Sequence, residues 1–272
     1  MLDKVVDLVR RAHGLDLYPF DETFLAKSLA KRQTATATET VEAYVARLAH
    51  DFSEVESLLH SLHIVYSEFF RNALAFALLE QLILPTLLAA TEKSDRAEIR
   101  VWSAGCATGQ EAWSVAILLE ELTKTRDHPL SYRIIATDLS EPVLALAYIG
   151  VYSPEAVGNV RSRHLHEYFS RQGESFAIAP RLRERVVFSA YDLLDEGTSC
   201  PPESIFGDFD LVLCSNVLLY YRPQVQHLVL NKVRRSLGLG GYLITDETER
   251  QVVERSGGFR PVVPPAAVYV KN

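Results

Sequence analysis

The sequence IRVWSAGCATG at residues 99–109 begins with a short apolar run that predicts a strand and continues into a turn of small residues. After the turn, Val115, Leu118 and Leu122 recur at helical spacing, so an amphipathic helix follows. A glycine turn between a strand and a helix is the point where a doubly wound parallel sheet presents its ligand crevice. The segment therefore predicts an α/β domain with a ligand site at this turn.

Short apolar runs alternate with amphipathic segments along the rest of the chain. The runs lie at residues 132–137, 186–191, 210–215 and 242–245. This alternation is typical of βαβ units and predicts a mostly parallel sheet, which the run at residues 267–270 closes as an antiparallel edge. Residues 151–185 are too many for a simple loop, so we predict a small inserted subdomain in which Ser153-Pro154 opens a helix.

The region before residue 66 contains helical patterns only. Ser53 and Glu56 have the spacing of a capping box and predict the start of one of its helices. We predict a helical N-terminal domain over residues 1–75, a linking helix and connection over residues 76–98, and the α/β domain over residues 99–272.

Composition excludes several classes of function. The net charge is −7 and Lys and Arg form no dense run, which argues against binding to nucleic acid. The three cysteines lie far apart and form no CxxC pair, so we predict no metal site and a reducing, cytoplasmic location.

No membrane insertion is predicted. The N-terminal run contains acids, unlike a signal peptide. The most apolar stretch, residues 69–90, is interrupted by Arg71, Glu80 and Pro85.

Polar residues follow the predicted strands at the edge where the crevice should lie. The turn has the spacing G-x-x-x-G, which lacks the dinucleotide fingerprint and favours an adenosine ligand without a pyrophosphate. Asp138 ends the second strand and could accept from ribose hydroxyls or cap the next helix. Asp192 ends the third strand and could accept from an adenine amino group. Asn216 and Tyr220 follow the fourth.

The chain resembles a known family, the chemotaxis receptor methyltransferases (CheR). The resemblance covers nearly the whole chain and rests on a set of motifs in the family's order: SEFFR (67–71), VWSAGCATGQEAWS (101–114), ATD (136–138), GVY (150–152), YF (168–169), DL (192–193), CSNVLLYY (214–221) and GGYL (240–243). It implies a helical N-terminal domain, a Rossmann-like domain and methyl transfer from S-adenosylmethionine to receptor glutamates, which leaves S-adenosylhomocysteine.

The resemblance also implies roles for particular residues. It implies that Arg71 and Tyr220 lie at the site of methyl transfer. It implies a set of cofactor-binding residues: Ser67, Arg71, Gly105, Ala107, Glu111, Asp138, Asp192, Leu193, Asn216 and Val217. The implied partners are cytoplasmic helices of chemoreceptors, which Lys27 and Lys31, beside Arg32, could contact. A monomer is the favoured state.

The chain departs from the family pattern at several motif positions. Gln110 stands where the family has a second acid, Ser67 where it has Thr, Asp192 where it has Asn, and Ser215 where it has Arg. Residues 246–249, DETE, replace a Gly-x-Ser-Glu segment. Two alternatives therefore stay open: a non-catalytic protein that binds the cofactor and signals, and a methyltransferase with another acceptor. An amino-directed nucleic-acid enzyme would carry a segment like N/D-P-P-Y, which is absent after the fourth strand.

Overall fold

The chain forms two compact units. The computed structural model describes residues 2–62, 66–91, 98–124, 131–204 and 207–272. One unit comprises residues 1–64 with 219–226, and the other comprises residues 65–218 with 227–272. The predicted domain bounds at residues 75 and 98 stay predictions.

The first unit is helical. Its described part contains α1 (Leu2–His13), α2 (Glu22–Ala35), α3 (Val41–His50) and α4 (Phe52–Leu62). The apolar faces meet in a core where Val9, Leu25, Leu48 and Leu58 are fully buried. Burying one such leucine stabilises the fold by roughly 1.5–3 kcal/mol, so this core holds the helices together.

The start of α4 differs from the prediction. The capping box of Ser53 and Glu56 is wrong, because a helix capped by Ser53 would begin at Glu54, whereas α4 begins two residues earlier, at Phe52. Asp51 takes the capping position instead, and its carboxylate accepts the backbone amide of Glu54 at 3.1 Å. Aspartate and serine are equally good capping residues. Asp51 precedes Ser53 in the chain, and α4 begins directly after Asp51.

A buried ion pair joins α2 to α4. Arg32 donates from Nε and Nη2 to the two carboxylate oxygens of Glu54 at 2.9 and 2.6 Å. The Tyr44 hydroxyl of α3 donates to the same carboxylate at 2.8 Å. Burial opposes ionisation of Glu54, but the hydrogen bonds from Arg32 and Tyr44 outweigh it and lower the pKa of this carboxyl. The cluster therefore ties three helices together through one charge.

The second unit contains a twisted sheet and the helices that cover it. In chain order its strands are β1 (Glu98–Ala104), β2 (Ser131–Asp138), β3 (Val151–Tyr152), β4 (Phe169–Gln172), β5 (Ser175–Ile178), β6 (Val186–Ala190), β7 (Phe209–Leu213), β8 (Leu237–Ile244), β9 (Phe259–Pro261) and β10 (Val268–Lys271). Among the described residues, the remaining helices are α5 (Ala73–Leu78), a π-helical turn (Leu79–Ile83), α6 (Leu84–Thr91), α7 (Gln110–Lys124), α8 (Glu141–Ile149), α9 (Ser162–Tyr168), α10 (Pro180–Arg183), α11 (Pro223–Ser236) and α12 (Arg250–Ser256). Short 3₁₀ turns cover Leu218–Tyr220 and Glu247–Glu249.

The main sheet confirms the predicted doubly wound α/β fold. Among the described residues its strand order is β6-β2-β1-β7-β8-β10-β9, and the strands from β6 to β8 are parallel. Side chains of the central strands alternate between two cores: Val101 and Ile134 belong to one, Trp102 and Ile135 to the other. Both faces of the sheet are therefore covered, as parallel sheets require.

The strand order places a ligand crevice between β1 and β7. From β1 the chain continues to β2 and β6 on one side, then returns to β7 and β8 on the other. Ligands of open α/β sheets bind outside the carboxyl ends of the strands at such a reversal. The turn at residues 105–109 lies at this point.

The C-terminal strand pairs as predicted, but it is not the edge. β10 runs antiparallel to β8, with Tyr269 opposite Leu243. The short strand β9 pairs antiparallel with its other side, with Tyr269 opposite Pro261. Three residues with a proline give almost no alternation to detect, so the sequence did not reveal β9.

The predicted insert is present as a separate antiparallel sheet of order β3-β5-β4 with α9 and α10 beside it. The helix expected at Ser153-Pro154 is wrong, because residues 154–159 form turns and the helix begins at Ser162.

One helical stretch of the second unit is unusually long and apolar. Residues 73–91 are long and apolar enough to cross a membrane by length and composition alone, with a mean hydropathy of 1.9 over the window. Leu79, Ile83 and Leu87 of this stretch are buried in the core beside the sheet. Its Glu80 accepts two hydrogen bonds from Arg161 of the insert, both at 2.7 Å. We therefore interpret it as a core helix of the second unit.

Candidate active site

The turn after β1 packs closely against the segment after β7. Gly105 has a φ of +76°, and a Cβ at this residue would lie 2.6 Å from Cγ2 of Val217. The amides of Gly105 and Cys106 both donate to the Thr137 carbonyl at 2.8 Å. Ala107 also has a positive φ, 47°. Only glycine fits at residue 105, and the turn keeps its backbone open toward a ligand.

Asp138 ends β2 and holds this turn in place. Its Oδ2 accepts the amide of Ala107 at 3.0 Å, and its Oδ1 accepts the amide of Ser140 at 3.1 Å. Each carboxylate oxygen has further acceptor capacity, so Asp138 can also accept from the hydroxyls of a ligand. Its predicted ribose role stays a prediction.

Glu111 lies in the first turn of α7, next to the carboxyl ends of β1 and β7. The Ser103 hydroxyl donates to its Oε1 at 2.7 Å, and Ser215 forms a second hydrogen bond with it. Burial raises the pKa of Glu111 to about 7, reinforced by the charge of Glu249 and opposed by the two serines and by Arg71. This carboxyl is therefore close to its point of ionisation at neutral pH, and a bound cation would favour its charged form.

The segment after β7 is held by a buried carboxylate. Asn216 has a φ of +59°. Oε2 of Glu249 accepts the amides of Asn216 and Asp246 at 3.0 and 3.1 Å, and Oε1 accepts those of Val217 and Leu218 at 2.8 and 2.7 Å. Glu249 has 0% exposure. The side chain of Glu249 thus fixes the backbone conformation of residues 216–218.

Asp246 adds another acid beside this segment. Burial opposes its ionisation, but hydrogen bonds from the amide and hydroxyl of Thr248, the charge of Arg71 and a hydrogen bond from Asn216 outweigh it and lower the pKa of Asp246. Asp246 is therefore charged at neutral pH.

The end of β6 lies beside the end of β2, since the amide of Tyr191 donates to the carbonyl of Asp138 at 3.0 Å. The next residue, Asp192, is exposed and accepts the amide of Leu194 at 2.8 Å, while Leu193 is buried. The carboxylate of Asp192 retains acceptor capacity toward solvent, where an adenine amino group could donate to it.

The segment that carries Arg71 is anchored on both sides. Phe69 is fully buried and packs edge-on against Tyr152, with ring centroids 4.9 Å apart. Phe70 has a φ of +52°, and its amide donates to the Ser114 hydroxyl of α7 at 3.1 Å. A left-handed phenylalanine is strained, so packing and this hydrogen bond must hold it.

Arg71 is exposed and follows this anchor directly. Its guanidinium carbon lies 5.1 Å from the centroid of the Tyr66 ring. Its charge favours the ionised forms of Glu111 and Asp246, which places it within electrostatic reach of the acids at the crevice. Ser67 is half-buried in the same segment.

Tyr220 belongs to the first unit by its contacts. Its ring centroid lies 4.8 Å from that of Phe24 on α2, and its carbonyl accepts the amide of Asp21 at 2.8 Å. Its predicted position near the methyl acceptor stays a prediction.

The structure brings most of the predicted cofactor residues of the second unit to one edge of the sheet. Sequence reasoning did not select four polar residues found beside them: Ser103, Ser215, Asp246 and Glu249. A signal for Glu249 was present, because Asp246 and Glu249 have the spacing of a capping box, and the structure contains that box. The contact of Ser215 with Glu111 joins segments far apart in the chain, which local patterns do not show.

The crevice fits an adenosyl ligand that carries positive charge. Its polar groups are the carboxylates of Glu111 and Asp138 around a glycine turn, and the turn lacks the G-x-G-x-x-G spacing by which a pyrophosphate is bound. In the part of the chain that the structure describes, no group of three or more His, Cys, Asp or Glu residues could hold a metal ion.

Fold and crevice together define an S-adenosylmethionine-dependent methyltransferase. Residues 66–262 match the family model described as CheR methyltransferase, SAM binding domain. The chain belongs to this family, and several of the relatives below are named chemotaxis protein methyltransferases.

Several relatives are similar over much of the chain. A chemotaxis protein methyltransferase of Listeria monocytogenes is 30% identical over 243 residues, which cover 89% of this chain and 87% of the relative. Chemotaxis protein methyltransferase 1 of Pseudomonas aeruginosa is 36% identical over 184 residues, covering 66% of this chain and 64% of that protein. An uncharacterised 104.1 kDa protein of Rhodobacter capsulatus is 27% identical over 251 residues, and the match spans 25% of its length. Among solved structures, that of the DszA carbon methyltransferase aligns over 90% of this chain and 66% of its own, with a TM-score of 0.44 and 16% identity.

Proposed function

We propose that the protein transfers the methyl group of S-adenosylmethionine to glutamate carboxylates on the cytoplasmic helices of chemoreceptors. The observation that carries the proposal is the charge arrangement of the crevice. Glu111, Asp138 and Asp246 lie along the edge of the sheet where β1, β2 and β8 end, and the positive charge of Arg71 is within electrostatic reach of Glu111 and Asp246. Acids suit a cationic donor, and a single guanidinium suits a carboxylate acceptor.

The reaction does not require acid–base catalysis by the protein. A glutamate side chain has a pKa near ~4.3 and is already ionised at neutral pH, so no general base is required. S-adenosylmethionine supplies an electrophilic methyl group on a sulfonium. The residues of the chain then need to hold the two reactants in line and keep water from both.

Arg71 fits the role of an aligning group. Donor and acceptor charges neutralise each other as the transition state forms, so a cation bound tightly to the carboxylate would stabilise the reactants more than the transition state. An exposed arginine on a fixed anchor can orient the carboxylate without burying the pair. We therefore expect Arg71 to orient the acceptor carboxylate toward the methyl group and not to lower the barrier through its charge.

Receptor contact is proposed for the outer face of α2. Lys27 and Lys31 lie one helical turn apart and are both exposed, while Arg32 is half-buried and paired with Glu54. The two lysines offer positive charge to an acidic receptor helix. Arg32 instead joins α2 to α4 through its ion pair with Glu54. The protein would act in the cytoplasm, as a monomer.

Two other functions compete with this one. Ser215, which replaces the family's arginine, hydrogen-bonds Glu111. A changed contact at this point would suit a protein that binds the cofactor without catalysis. A methyltransferase with a different acceptor would share the crevice and differ at the surface that receives the acceptor.

One experiment separates the three. The protein is incubated with S-adenosylmethionine labelled in its methyl group and with membranes that contain chemoreceptors from the same cell. We expect label on receptor protein that is released as methanol by base, because glutamyl esters hydrolyse readily. Cofactor binding without transfer would favour the non-catalytic function, and base-stable label or label on other molecules would favour another acceptor.

A further inference from the structure

A fully buried carboxylate, that of Glu249, holds the backbone of the segment after β7. Glu249 belongs to the 3₁₀ turn after β8, and its two oxygens accept four backbone amides. Three of these amides are consecutive, at residues 216–218 after β7. Backbone amides rarely converge in this way unless an anion satisfies them.

We propose that Glu249 is a positioning residue for cofactor binding, which holds residues 216–218 in the shape that the ligand requires. The proposal rests on the cofactor crevice described above. It does not depend on the identity of the methyl acceptor.

The local geometry explains why this segment needs a support. Asn216 is in the left-handed region, where a non-glycine residue is strained. Val217 lies against Gly105 so closely that no Cβ fits between them. A small shift of Val217 would therefore close or distort the turn after β1.

The chemistry of the contact requires a carboxylate. Each oxygen accepts two amide hydrogens, Oε1 from Val217 and Leu218 and Oε2 from Asn216 and Asp246. In a Glu249→Gln protein, an NH₂ group would replace one oxygen and face two donors. Two backbone amides in a largely enclosed position would then lose their acceptor while the volume of the side chain stayed nearly the same.

The test uses Glu249→Gln, Glu249→Asp and a control, Glu247→Gln, whose residue is exposed in the same turn. The dissociation constant of S-adenosylmethionine is measured by titration calorimetry. Exchange of the amides at residues 216–218 is measured without ligand by hydrogen–deuterium exchange. We expect Glu249→Gln to weaken binding by roughly 10- to 100-fold and to speed exchange at these amides, with exchange in β1 and β2 unchanged.

Glu249→Asp keeps the charge with a shorter reach and should fall between wild type and Glu249→Gln, whereas Glu247→Gln should match wild type. Wild-type affinity in Glu249→Gln, or faster exchange across the whole sheet, would overturn the proposal. If Glu249→Gln does not fold, Glu249→Asp is judged by the same criterion. Failure of receptor methylation in a wild-type protein that binds cofactor would reject the proposed acceptor and leave the role of Glu249 intact.

Discussion

Gly105 shows how little space separates the turn after β1 from the segment after β7. A Gly105→Ala side chain would place its Cβ 2.6 Å from Val217 on a backbone of positive φ. The left-handed conformation alone costs roughly 1–2 kcal/mol for a residue with a Cβ, and Val217 must also move. We expect cofactor affinity, measured by calorimetry, to fall by about tenfold or more.

Gly173 is a matched control for this substitution. It has a φ of +59° in the β4–β5 hairpin, and nothing lies within 4 Å of a Cβ placed there. Gly173→Ala should lower stability slightly and leave cofactor affinity unchanged. Equal losses of cofactor affinity in Gly105→Ala and Gly173→Ala would show that backbone strain, and not the contact with Val217, causes the loss.

The raised pKa of Glu111 predicts a pH dependence of cofactor binding. With a pKa of about 7 in the free protein, Glu111 is largely protonated below pH 7, and a cationic ligand favours its ionised form. Binding below pH 7 must therefore release a proton, so affinity falls by up to about tenfold per pH unit as pH decreases and levels off above pH 7. Calorimetry between pH 5.5 and 8 measures this slope.

Glu111→Gln tests whether Glu111 is the group responsible. The substitution keeps the shape of the side chain and removes its titration. We expect weaker binding with a flat profile over the acidic range. A slope that persists in Glu111→Gln would assign the proton to another group.

Arg71 can be tested by separating turnover from binding. Arg71→Ala should lower the rate of receptor methylation by at least about tenfold while cofactor affinity stays nearly the same, because an aligning residue acts on the acceptor. Arg71→Lys keeps the charge without the planar fork and should restore only part of the rate. Arg133→Ala, at an exposed position of β2, is the control. Unchanged turnover in Arg71→Ala would refute the role.

At the scale of elements, the ion pair between α2 and α4 should govern the stability of the helical unit. Glu54→Gln removes the charge from a side chain that is 4% exposed and leaves Arg32 without its partner. We expect a loss of about 1–3 kcal/mol, measured by hydrogen exchange in α2 and α4, with Glu56→Gln as an exposed control. The effect should be confined to the helical unit.

The same pair predicts an acid limit for this unit. The pKa of Glu54 lies below its ordinary value, so its contribution is fully present above the ordinary carboxyl pKa. That contribution is lost as pH falls through the lowered pKa of the folded state. Acid-induced loosening of α2 and α4 should therefore be weaker in Glu54→Gln than in wild type, relative to each protein at neutral pH.

Most elements of the fold followed from sequence patterns, for physical reasons. The strands β1, β2 and β7 are buried on both faces, so their apolar runs stand out against the amphipathic helices. β9 has three residues and the insert has short irregular turns, so neither shows a periodicity long enough to detect.

The candidate site was only partly predictable for a related reason. Gly105, Asp138 and Asn216 occur where strands end, and the sequence shows strand ends. The contact of Ser103 with Glu111 depends on how α7 packs after β1, and that of Glu249 with residues 216–218 depends on which strands become neighbours. Nor does any local pattern reveal a left-handed Phe70, because its conformation is imposed by packing.

For the whole molecule, the two exposed lysines of α2 predict how receptor and enzyme meet. Charge reversal in a Lys27→Glu, Lys31→Glu protein should raise the KM for receptor by roughly tenfold, with cofactor affinity unchanged. Wild-type KM should increase with salt, since exposed charges are screened. Lys4→Glu reverses an exposed charge on α1 and should have little effect. Equal KM values in all three proteins would place receptor contact elsewhere.

The hydroxyl of Ser114 connects the two segments that carry Arg71 and Glu111. It accepts the amide of Phe70 at 3.1 Å and donates to the carbonyl of Gln110 at 2.7 Å. Gln110 begins the helix that carries Glu111, and Phe70 precedes Arg71. The Ser114 hydroxyl therefore links the backbone before Arg71 to the first turn of α7, which carries Glu111. A displacement of that turn would move the residue proposed to orient the acceptor and the residue proposed to bind the cofactor at the same time.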